Sequence, residues 1–102
     1  MSDGETSPRR LSAAAALQVV KLLARDSGNI VLIKHAQRRS AERRVTRIQV
    51  ERCLRNGTIS EGPFMNLKGH WQLNLTHRAA GDEVTCVVAI EWKRTLVVVT
   101  VF

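Results

Sequence analysis

The chain has 102 residues, of which 44% are apolar and 25% charged, so it suits one folded domain with a modest core rather than a disordered chain. Sixteen Lys and Arg against nine Asp and Glu give a net charge of +7, and twelve of the sixteen are Arg, which suggests an anionic partner, most often nucleic acid. No apolar run approaches the roughly 20 residues of a membrane helix.

Residues 1–8 are polar apart from Met1 and read as a loose, disordered tail. Ser7-Pro8 offers an N-cap followed by proline at the first helical position. Leu11, Ala15, Val19, Leu22 and Leu23 then recur at helical spacing. A first helix is therefore expected over 9–27, closed by Ser27-Gly28-Asn29. Arg9 to Ala24 has the outline of a signal peptide, but Gln18 and Lys21 interrupt the apolar stretch, and we read a helix of the folded chain.

Ile30 to Ile33 is a short strand-like run, and His35 to Arg44 is rich in helix formers. Thr46-Arg47-Ile48-Gln49 matches a capping box, and the helix it opens places Val50, Cys53 and Leu54 on one face before Asn56-Gly57 closes it. Beyond Gly57 the period becomes two. Thr58 to Phe64 reads as a strand stopped by Gly62-Pro63. Trp71, Leu73 and Leu75 alternate with Gln72, Asn74 and Thr76. After the turn Ala80-Gly81-Asp82, residues Val84, Cys86, Val88, Ile90 and Trp92 keep the same alternation. Lys93-Arg94 breaks it, and Thr95 to Phe102 forms a last strand. Helices followed by an antiparallel meander imply an α+β fold with the helices on one face of the sheet.

Cys53 and Cys86 lack the spacing of a metal site or a disulfide framework, so buried free thiols are expected, as in a reducing cytoplasm. The chain carries no Gly-rich phosphate loop, no GxSxG and no HExxH, and we expect neither metal nor cofactor. Trp71, Trp92, His70 and His77 fit packing or strand-end positions better than roles in chemistry.

The positive charge is concentrated. Lys34, Arg38, Arg39, Arg43, Arg44, Arg47, Arg52 and Arg55 lie within one helical stretch, opposed there only by Glu42 and Glu51. His35, Arg39 and Arg43 are four apart and fall at about 0°, 40° and 80° around a helix, a single stripe. An imidazole beside two guanidinium groups can serve metal-free phosphodiester cleavage, one moving a proton and the others neutralising the phosphorane. The same stripe can equally be a solvated surface.

His35 to Thr46 reads HAQRRSAERRVT, and Val50 to Ile59 reads VERCLRNGTI. These segments, with Val99-Thr100-Val101 in the last strand, resemble a family known as a domain of unknown function, over about residues 28–102. That family is similar to the RelE/BrnT-like toxins and to barnase-like ribonucleases. The resemblance implies helices packed on a roughly four-stranded antiparallel sheet, and it leaves the first helix unexplained. It places His35, Arg39 and Arg43 in the polar signature. Thr100 takes the strand position, where it touches substrate or pairs across the sheet. Arg44 stands where that family commonly has Gly, so a tight turn must form without glycine's freedom. Ser40 stands where Met is common, at a cost in apolar packing.

The leading expectation is a cytoplasmic, metal-independent endoribonuclease of toxin type. Its catalytic residues would be His35, Arg39, Arg43 and Thr100, and Arg38, Arg44, Arg47, Arg52 and Arg55 would bind RNA. Such a toxin implies an acidic antitoxin or another protein partner and no membrane. The alternatives are a non-catalytic nucleic-acid-binding module, or a small phage or plasmid protein that binds and inhibits another protein through its first helix.

Overall fold

The computed structural model describes residues 6–102, so residues 1–5 of the expected tail lie outside the described residues. The described residues form three α-helices and five strands: α1 (Ala13–Ala24), β1 (Ile30–Leu32), α2 (Lys34–Glu42), α3 (Arg47–Asn56), β2 (Thr58–Met65), β3 (Trp71–Ala79), β4 (Asp82–Glu91) and β5 (Thr95–Val101). The sheet order is β1-β5-β4-β3-β2. The α+β reading holds, with two corrections: the sheet has five strands rather than four, and it is mixed, because β1 pairs parallel to β5 through Ile30 with Leu96 and Leu32 with Val98.

Alternation along the strands sorts the two faces. Trp71, Leu73 and Leu75 on β3, Val84, Cys86, Val88 and Ile90 on β4, and Leu96, Val98 and Val101 on β5 form one core with residues of all three helices. The opposite face carries Gln72, Asn74 and Thr76, with Val87 paired to Thr100. Both cysteines are buried and free. The Cys53 thiol donates to the Leu75 carbonyl at 3.3 Å. Hydrogen bonding to Cys53, together with burial, pushes the Cys86 thiol far above its usual range.

α1 begins later than expected. Its N-cap is Ser12, whose hydroxyl accepts from the Ala15 N–H at 3.0 Å. Ser7-Pro8 lies upstream of the helix, and the Pro8 carbonyl accepts from Trp71 Nε1 at 2.9 Å. Ala16, Val20, Leu23 and Ala24 are buried, whereas Leu22 is exposed, so the packed face is rotated from the expected stripe. Small Ala16 and Ala24 let the helix approach α3 and the sheet closely. α1 is therefore part of the single core, and it covers the sheet rather than standing apart from it.

α3 opens as its sequence requires: Gln49 N–H donates to Thr46 Oγ1 at 3.1 Å, and the Gln49 side chain accepts from the Thr46 N–H at 2.8 Å. Its end differs from expectation. Gly57 is extended (φ −72°), not left-handed. Glycine is needed there for clearance, since a Cβ would lie 2.4 Å from the Cys53 carbonyl oxygen and 3.0 Å from that of Thr76. β2 does not stop at Gly62-Pro63 but continues to Met65, with a register shift between Glu61 and Phe64.

The end of α2 contains both Arg44 and Ser40, the two positions expected to depart from the resembled pattern. Arg44 N–H donates to the Ala41 carbonyl at 3.1 Å and Val45 N–H to the Ser40 carbonyl at 2.8 Å, which together make a Schellman turn. Arg44 sits at its left-handed position (φ 56°), the place glycine prefers. Ser40 occupies the position whose side chain ordinarily packs against the turn. It is 8% exposed, and among the described residues its hydroxyl has no hydrogen-bond partner.

Candidate nucleic-acid interface

The arginines of the basic segment divide into two groups. Arg47 and Arg55 hold the fold. Arg47 Nη2 donates to the carbonyls of Ser27 at 3.1 Å and Ile30 at 2.7 Å, and Arg55 Nε donates to the last carbonyl of α1, Ala24, at 2.7 Å. Glu51 lies between them and accepts from Arg47 Nε at 2.8 Å, Arg55 Nη2 at 3.1 Å and Ser27 Oγ at 2.6 Å. The Ser27 hydroxyl first, and then the two guanidinium groups, hold the Glu51 carboxyl below its ordinary range. Arg47 also shields the outer edge of β1, and Gln37 Nε2 does the same at the Leu32 carbonyl, 2.9 Å away.

The second group is available to a ligand. Among the described residues, His35, Arg38, Arg43, Arg44 and Arg52 have no side-chain hydrogen bond or ion pair, and all five are exposed. Arg39 makes only the surface pair to Glu42 at 2.9 Å, a contact worth well under about 1 kcal/mol that a phosphate can replace.

The helical stripe survives folding. His35 lies in the first turn of α2, Arg39 one turn on, and Arg43 at the C-cap. Ala36 and Ser40 are the buried positions of this helix, so His35, Arg39 and Arg43 run along one flank of the packed face. At 1.5 Å per residue, His35 and Arg39 are about 6 Å apart along the axis and His35 and Arg43 about 12 Å. The first pair can address one phosphate, and Arg43 reaches the next position along a strand.

α2 packs against β5, the strand that carries Thr100. The structure does not bring Thr100 to the stripe: it pairs with Val87 on the sheet face away from the helices, beside a register shift between Val87 and Val88. The other two histidines are elsewhere, His70 next to the start of β3 and His77 near its end, two strands from β5. Arg43, Arg44 and Arg52 cluster at the far end of α2 from His35, beside the turn between β3 and β4. Asp82 and Gln49 line the same hollows; the sequence marks them only as a turn residue and a capping-box residue, and the hairpin's return brings them together.

Among the described residues, no cluster of three or more His, Cys, Asp or Glu side chains is disposed to hold a metal ion. No helix among them is long and apolar enough to cross a membrane.

No curated protein and no solved structure matches the chain. One family model matches residues 32–102, from β1 to the C-terminal residue, leaving α1 ahead of the matched region although it shares the same core. On that match, the chain belongs to the family described as "Domain of unknown function (DUF4258)".

Proposed function

We propose that the protein is a metal-independent endoribonuclease of toxin type, similar to the RelE/BrnT-like ribonucleases, acting in the cytoplasm on the flank of α2 that faces β5. The observation that carries this reading is that His35, Arg39 and Arg43 keep their common stripe in the folded chain while none of them is needed to hold it together. Structural arginines elsewhere in the segment are engaged with backbone carbonyls, so the free ones remain for an anion.

In the reaction, the ribose 2′-hydroxyl attacks the adjacent phosphorus, a 2′,3′-cyclic phosphate forms, and the 5′-oxygen leaves with a proton. His35 moves the proton, either from the 2′-hydroxyl or to the leaving oxygen, and water supplies or accepts the other. Arg39 releases Glu42 and binds the phosphorane oxygens bidentately, with Arg43 on the neighbouring phosphate. Thr100 lies on the face of β5 turned away from the helices, so this step runs on the α2 residues alone. An acidic antitoxin would close the site by covering the same arginines.

A second reading is favoured by one observation: no other imidazole stands on α2 or β5 to share acid and base roles with His35. The protein would then bind RNA without cutting it. Induced expression in a bacterial host separates the two. Growth arrest with loss of RNA integrity that His35→Ala relieves supports the ribonuclease; the same RNA loss with His35→Ala removes it, and intact RNA with salt-sensitive RNA binding by both proteins favours the binding module.

A further inference from the structure

We propose that the cleft between α3, the α2–α3 turn and the β3–β4 turn is a ribonucleotide-binding subsite. Arg43, Arg44 and Arg52 hold a backbone phosphate there, and Asp82 accepts a hydrogen bond from the ribose 2′-hydroxyl. The proposal rests on the reading above for the polymer it binds, but not for cleavage.

Two hollows, of about 90 and 330 Å³, share Gln49, Asp82 and Val84 and so make one depression. Arg52 and the half-buried His77 line the smaller, and Arg43 and Arg44 the larger. Among the described residues the three arginines have no partner. Glu83 also lines the larger hollow, but Arg78 neutralises it through a short ion pair. That leaves three guanidinium groups against one uncommitted carboxylate, Asp82, a balance that favours an anion with a hydroxyl to donate. A phosphate next to a ribose has both features, and the 2′-hydroxyl separates RNA from DNA.

The backbone fixes where Arg44 stands. This residue occupies the left-handed position of a Schellman turn, where glycine is free of strain, and it thereby sets a guanidinium at the mouth of the depression. The geometry also sets direction: the cleft begins at Arg43, where the stripe from His35 ends, so one RNA strand can run from one to the other.

The test uses fluorescence anisotropy of the full chain with a short fluorescein-labelled single-stranded RNA and a DNA of the same sequence, together with thermal melts. Arg44→Gly is expected to raise Tm by a few degrees while weakening RNA affinity about fivefold, and to reduce the salt slope by about 0.7. Arg94→Gln removes the same charge at the opposite end of the sheet and should change affinity by less than about twofold. Asp82→Ala, which removes the acceptor, should narrow the preference for RNA over DNA.

Wild-type RNA affinity in Arg44→Gly, or an equal loss in Arg94→Gln, would each overturn the phosphate site. An unchanged RNA preference in Asp82→Ala would overturn the ribose contact. RNA cleavage that survives His35→Ala refutes the catalytic reading and leaves the cleft standing. Cleavage lost in His35→Ala with undiminished binding by Arg44→Gly refutes the cleft alone.

Discussion

Replacing Glu51 by Ala removes the one carboxylate that ties α3 to the end of α1 and to the turn before β1. Glu51 is only 12% exposed and accepts three hydrogen bonds, from Ser27, Arg47 and Arg55. A buried bond to a charged group contributes about 1.5–3 kcal/mol. Arg47 and Arg55 are 46% and 37% exposed, so each ion pair is discounted to about 0.5–1 kcal/mol for solvent screening. With about 1 kcal/mol for the Ser27 bond, the loss is about 2–3 kcal/mol, or roughly 10 °C in Tm for a domain of this size. The two guanidinium groups keep their backbone carbonyls, which limits further damage.

The pH dependence has a definite sign. The folded carboxyl titrates below its ordinary value of 4.5, so its stabilisation is complete above that value and is lost as pH falls through the lower folded value. Thermal and urea melts of wild type and Glu51→Ala should differ by a constant gap from neutral pH down to the ordinary carboxylate value, and the gap should close below it. A neutral-pH gap under about 0.5 kcal/mol, the size expected of an ordinary surface site, would refute the argument. So would a gap that persists unchanged into strong acid.

Gly57→Ala should cost about 3 kcal/mol, because the new methyl meets two backbone carbonyls that cannot move independently; a urea midpoint near wild type would contradict the clearance argument. Ser40→Ala removes a buried hydroxyl with no partner and should be neutral or stabilising by up to about 1 kcal/mol, measured by the same melts. Cys53 and Cys86 should resist a thiol-specific reagent in the native protein and react together on unfolding, with a rate that follows global opening; rapid labelling of either thiol in native buffer would show that the core is more open than described.

Much of the fold was legible where local chemistry and tertiary packing agree. The capping box at Thr46 and Gln49 formed both of its bonds, and the alternation from Trp71 to Ile90 named the buried face of two strands. The departure at Arg44 marked a turn without glycine, and that residue is left-handed. The parallel pairing of β1 escaped notice because a three-residue strand has no period of its own, and its partner comes from the far end of the chain. Ser12 outcompeted Ser7 as the cap of α1, since Pro8 is held by Trp71, 63 residues away.

Charge density marks the segment in the sequence but does not sort its members. Arg47 and Arg55 read in the sequence like the other arginines of the segment, because their acceptors are carbonyls of Ala24, Ser27 and Ile30, and a carbonyl leaves no mark in a sequence. The stripe of His35, Arg39 and Arg43 was visible because helical spacing is local. The cleft with Asp82 was not, because it exists only once the β3–β4 turn comes back to α3.

The most direct measurement incubates purified protein with RNA in excess EDTA and resolves the products and their ends. The account predicts fragments ending in 2′,3′-cyclic phosphate from wild type, and intact RNA from a His35→Ala variant that melts at the wild-type temperature. Intact RNA with the wild-type protein, or identical fragments from His35→Ala, would contradict it.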